Sequence, residues 1–120
     1  MREVAAGGVV YRISSLERDG QWIACAENAA TGARFGIECS GPTEEQSLAR
    51  MAGWLEWQAE HTAALAALQQ AERAYHRTIA GSAFASPTEG PSAIEMQKDS
   101  LEAVEAARTR LDEVRARRPS

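Results

Sequence analysis

The spacing of polar and apolar positions changes period once along the chain. Val9, Tyr11 and Ile13 alternate with Val10, Arg12 and Ser14, a repeat of two that marks a strand with one buried face. Arg18-Asp19-Gly20 follows, and a glycine behind an aspartate accepts the positive φ of a hairpin turn. The run 21–27 is then a second strand, and residues 28–32 close on another glycine, Gly32. From 34 to 39, Phe35, Ile37 and Cys39 share one face while Arg34, Gly36 and Glu38 share the other, which predicts a third strand. Residues 1–41 are therefore expected to form a three-stranded antiparallel meander with one face buried.

Beyond Gly41 the repeat becomes helical. Thr43 is followed three residues later by Gln46, a capping-box pair, and Glu44 and Glu45 sit where the helix dipole favours anions. Only Gly53 interrupts the pattern before Gly81, so the spacing predicts a helix over 43–81, roughly 55 Å long at ~1.5 Å per residue. Gly81 suits the left-handed position that ends a helix. Pro87, Gly90 and Pro91 make 82–91 a loop. Ser92 and Glu95 form a second capping box opening a helix over 92–118, with Arg115, Arg117 and Arg118 at its C-terminal end. The expectation is one α+β domain over 1–120, ordered β-β-β-α-α, whose helices form a long antiparallel hairpin.

The second helix carries one apolar stripe: Ile94, Leu101, Val104, Leu111 and Val114. The first carries two. One holds Leu48, Met51, Ala52, Leu55, Ala59 and Ala66; the other holds Trp54, Trp57, His61, Ala64, Leu68, Ala71, Tyr75 and Ile79. A helix apolar on two sides must bury two sides. One side suits the sheet, and the other suits the returning helix or a second chain. A two-helix hairpin alone encloses little interior, which favours pairing with another chain.

Composition sharpens this picture. Alanine supplies 24 of 120 residues, aromatics only 6%, and the formal net charge is −4. The scarcity of large side chains falls on the hairpin, where alanines allow close helix approach. No run of 18 apolar residues exists, so no transmembrane helix is expected. Residues 1–8 lack the apolar core of a signal peptide. Two cysteines are too few for a disulfide scaffold or a four-cysteine zinc site, and a cytoplasmic protein with reduced thiols is expected. The acidic balance argues against a general phosphate-backbone binder.

Gly41-Pro42-Thr43-Glu44-Glu45, entering a helix from a strand meander, resembles the HicB-type antitoxin domain, in which a glycine-x-threonine-x-glutamate signature opens the helix. Tyr11, the Asp19-Gly20 turn and Trp22 also fall where that family places an aromatic, a turn and an aromatic. The resemblance covers about residues 9–65. It implies a strand meander packed on a helix, and an antitoxin or regulator that binds a small ribonuclease toxin. The family's Pro-Asp-Leu-Pro-Gly-Cys-like loop is replaced here by Asn28-Ala29-Ala30-Thr31-Gly32, and no DNA-binding segment follows the first helix.

Candidate chemistry is sparse. Glu72 and His76 stand i, i+4, a spacing that suits a shared metal, but the second helix offers no histidine, and about 15 residues separate His61 from His76. The simpler reading is a solvated Glu–His pair, and no metal or cofactor is expected. His61, on the stripe with Trp54 and Trp57, is a candidate pH-sensitive contact or a histidine at a core edge. Trp54, Trp57 and Tyr75 form the main aromatic concentration, of the kind that dominates interfaces. Cys25 and Cys39 lie on neighbouring expected strands, with no lysine or histidine beside them to lower a thiol pKa. No Gly-x-Ser-x-Gly elbow exists, and Gly7-Gly8 lacks the Lys-Ser or Lys-Thr of a phosphate loop. Five arginines between 108 and 118 face two acids, a charged helix face with no interleaved aromatic.

These readings leave a non-catalytic interaction or assembly protein, self-associating or binding another protein. Its candidate interaction positions are Trp54, Trp57, His61, Leu68 and Tyr75. The alternative is the HicB-like antitoxin. Neither a membrane nor nucleic acid is an expected partner.

Overall fold

The computed structural model describes residues 2–82 and 93–119. The described residues form an α+β arrangement of four strands followed by two helices. The strands are β1 (Arg2–Ala6), β2 (Val9–Arg18), β3 (Gln21–Asn28) and β4 (Cys39–Gly41); the helices are α1 (Glu44–Ser82) and α2 (Ala93–Ala116). The residues divide into two compact units, one holding 1–60 with 118–120 and the other 61–117.

In the first unit the strands run antiparallel in the order β1-β2-β3-β4. The meander is therefore four-stranded, not three-stranded. The extra strand is β1, which has little apolar alternation of its own and is set by its turn. Gly7 and Gly8 both take positive φ (60° and 79°), and Ala6 pairs with Val9 across them. Asp19 and Gly20 repeat this geometry between Arg18 and Gln21 (52° and 80°). Two consecutive positive-φ residues match the right-handed twist of the strands they join.

The expected strand over 34–39 is also corrected. Only an isolated bridge, Glu27 to Arg34, and a bond from the Phe35 N–H to the Ala26 carbonyl (2.9 Å) precede the ladder that starts at Cys39. Asn28 organises what comes before. Its Oδ1 accepts from the N–H groups of Ala30 (2.9 Å) and Thr31 (3.3 Å), and its carbonyl accepts from Gly32 N–H (2.7 Å). The register accounts for the break: three steps along β3 from Glu27 to Ala24 face five from Arg34 to Cys39, so two residues bulge out of the ladder. Gly36 adds no side chain to hold a continuous strand. The facing survives without the strand: Phe35 and Ile37 pack on the core and Cys39 is buried in it.

The core of this unit lies between the inner sheet face and the first turns of α1. Register places Ile13 opposite Ala26 and Ala24 opposite Cys39, and all four are buried with Ala6. Leu48, Met51 and Leu55 from α1 complete the layer, with Val4, Tyr11, Phe35, Ile37, Trp54 and Ala59 around it. Small residues on the sheet let the helix sit close. A Cβ on Gly7 would lie 3.0 Å from Ala59 Cβ, and one on Gly41 would lie 3.0 Å from the Ser47 nitrogen.

α1 opens at the expected cap, where Thr43 Oγ1 accepts from Gln46 N–H (3.2 Å) and the Thr43 carbonyl accepts from Ser47 N–H (3.1 Å). Ser47, fully buried, donates to the Glu44 carbonyl (2.8 Å). Gly81 does not end the helix, which continues to Ser82; a glycine is tolerated in a last turn at a cost of about 1 kcal/mol. Of the loop expected over 82–91, Ser82 belongs to α1, while 83–91 and the Ser92 cap lie outside the described residues; Glu95 falls in the first turn of α2.

Among the described residues of the second unit, those buried are Ala64 from α1 and Val104, Leu111 and Val114 from α2. Half-buried neighbours extend these into two lines. On α1 they run His61, Ala64, Leu68, Ala71, Tyr75, Thr78; on α2 they run Gln97, Ser100, Val104, Ala107, Leu111, Val114. Both alternate by three and four, so each line follows one face of its helix. The α2 line departs from the expected stripe: Ile94 and Leu101 are exposed (78% and 40%), and Gln97, Ser100 and Ala107 lie inside it. On α1, Ala66 and Ile79 are likewise exposed.

Candidate functional site

The five candidate interaction residues all lie on α1, and each is half-buried. Trp54 packs against the sheet core. Its ring meets that of Trp57 edge to face, with centroids 5.7 Å apart and planes at 80°. This is the arrangement the ring quadrupoles favour. The Arg118 guanidinium lies over both indoles, 5.4 Å from the Trp54 ring and 6.0 Å from that of Trp57. A cation at that range gains from the negative ring faces. One arginine of the C-terminal basic run thus has aromatic partners, which the sequence alone placed nowhere near it. A signal existed: the three-and-four spacing that carries Ser100, Val104, Ala107, Leu111 and Val114 reaches 118 at its next step.

His61, Leu68 and Tyr75 belong to the second unit. The Tyr75 ring lies 6.1 Å from that of His76, and its carbonyl accepts from Thr78 Oγ1 (2.6 Å). Gln69, Glu72, Arg73 and His76 line a shallow open groove along α1. Among the described residues, no three His, Cys, Asp or Glu side chains converge as metal ligands do.

The two cysteines are free and project to opposite faces of the sheet. Ala24 pairs with Cys39, so the next residue, Cys25, turns outward. Burial raises the Cys39 thiol above its ordinary value of 9.0, a shift that Arg50 partly opposes. Cys39 packs among the core residues of the first unit.

The outer sheet face is a surface that the strand patterns do not single out. Val10 and Leu16 are exposed there, Ile23 and Cys25 are half-buried, and Arg12 spans the β2–β3 pair to Glu27 (3.2 Å). Among the described residues, no helix is long and apolar enough to cross a membrane. Comparison of the chain with family models, with curated proteins and with solved structures finds no match.

Proposed function

We propose that the chain is a non-catalytic assembly module that associates with itself through its helices. In this reading α2 returns antiparallel beside α1. The observation that carries it is the exposure of Ile79, Ile94, Met96 and Leu101 in a unit whose described residues form two helices. Two helices form one contact seam and leave their outer faces open, whereas a third or fourth helix encloses an interior. The half-buried Trp54, Trp57, His61, Leu68 and Tyr75 also retain area to lose to a partner. Within the first unit, the Trp54–Trp57–Arg118 cluster keeps the two indoles in one fixed, half-buried aromatic group.

Sedimentation of the full chain over a concentration series tests this reading. A particle larger than one chain is expected, and Trp57→Ala is expected to weaken association severalfold, as truncating an aromatic anchor does. A strict monomer at the highest concentration, unchanged by Trp57→Ala, overturns it.

A second reading is that the first unit is a HicB-like antitoxin domain. It is favoured by the antiparallel meander that enters α1 at Gly41-Pro42-Thr43, where the Gly41 hydrogen side faces the Ser47 nitrogen too closely for a Cβ. Co-expression with a small ribonuclease encoded beside it is expected, on this reading, to restore growth. Growth arrest in the presence of the chain counts against it.

A further inference from the structure

On α2, residues 94, 98, 101, 105 and 108 recur by four and three, so they share one stripe beside the buried seam. The stripe reads Ile94, Lys98, Leu101, Glu105, Arg108, and every member is exposed. Its apolar residues are Ile94 and Leu101. Lys98 and Glu105 flank Leu101 on its two sides, opposite in charge and nearly equidistant from it.

We propose that this stripe is a two-fold contact with the same stripe of a second copy, the two α2 helices crossing antiparallel about Leu101. Antiparallel alignment about that point brings Leu101 against Leu101 of the second copy. It sets Lys98 level with residues 104 and 105 of the second copy, within reach of its Glu105, and the symmetry repeats that pair. Ile94 then lies level with the aliphatic stem of the other Arg108, which covers apolar surface while its head stays in water. The choice of occupant rests on charge. Read against itself in antiparallel order, the stripe places lysine opposite glutamate twice; in parallel register it places lysine against lysine and glutamate against glutamate. Like charges held together disfavour the parallel alternative. The contact rests on the self-association proposed above and adds to it a face on α2, separate from the Trp57 position.

The test is sedimentation of the full chain and its variants, with circular dichroism to check that each variant folds. All substitutions lie at exposed positions. The wild-type chain dimerises, and Leu101→Glu, which puts two carboxylates on the axis, abolishes the dimer. Lys98→Glu alone and Glu105→Lys alone each weaken it about tenfold, since each creates two like-charge contacts. The chain carrying both changes recovers wild-type association. An equimolar mixture of the two single variants forms a heterodimer, because each then supplies the charge that the other lacks. A wild-type dimer that Leu101→Glu, Lys98→Glu and Glu105→Lys all leave intact overturns this contact while sparing self-association. A wild-type chain that stays monomeric, with this face taken by a different protein, overturns both.

Discussion

Leu55→Ala is expected to lower the stability of the first unit by about 3 kcal/mol, within the 2–5 kcal/mol range of buried leucine truncations. Leu55 is 1% exposed and belongs to the layer formed with Ile13, Met51, Ala24 and Ala26. Three of the sheet positions in that layer are alanines, counting Ala6, and they have no longer side chain to swing into a void. The cavity therefore persists, and the lost contacts add to the lost transfer energy. Against a typical total of about 5–15 kcal/mol, such a loss is a large fraction. Urea denaturation followed by circular dichroism checks it, as a shift in midpoint with little change in slope. An unchanged midpoint would mean that α1 does not seal the sheet at this point. Leu101→Ala, at an exposed position of α2, is the matched control and is expected to cost well under 1 kcal/mol in the monomer.

The second large effect concerns the first hairpin. Gly7 and Gly8 have similar positive φ, yet only Gly7 faces the helix, with Ala59 Cβ 3.0 Å from where its own Cβ would stand; at Gly8 nothing lies within 4 Å. Gly8→Ala should carry the backbone cost alone, about 1 kcal/mol for a residue with a Cβ at left-handed φ. Gly7→Ala carries that cost and the collision, for a total of about 2–3 kcal/mol. Ala59→Gly removes the collision partner, so the double change Gly7→Ala with Ala59→Gly should show a favourable coupling near the excess of Gly7→Ala over Gly8→Ala. Equal costs for the two glycines, with no coupling to Ala59, would mean that the turn does not touch α1.

The elements with strong local signals were legible in the sequence. The two-residue turn at Asp19-Gly20, the Thr43 cap and the long helical repeat each rest on neighbours within four positions, and the structure has them. What was not legible depended on distant chain. β1 contains one β-branched residue, Val4, and exists because Gly7-Gly8 folds it onto β2. The run 34–39 alternates as a strand should, but the pairing shifts by two residues between Glu27–Arg34 and Ala24–Cys39, so the facing survives while the ladder does not. On α2, counting apolar residues selects Ile94 and Leu101, whereas the seam takes small and polar residues, Gln97, Ser100 and Ala107. Where alanines permit close packing, size decides burial as much as hydropathy does. The partner of Arg118 could not be read locally, because the indoles it covers lie more than sixty residues earlier.

The two-residue turns have a further consequence, for the order in which the first unit assembles. β1, β2 and β3 are joined by the tightest connections a sheet allows, so every pairing among them closes a short loop. Such hairpins form on a microsecond scale, starting from the turn. The approach of Gly7 to Ala59 closes a loop of about fifty residues and carries a larger entropic penalty. From loop closure, the meander is expected to zip first, from Asp19-Gly20 and from Gly7-Gly8, and α1 to dock beneath it afterwards. Substitutions at the turns are expected to slow folding, and those at the Gly7–Ala59 approach to speed unfolding.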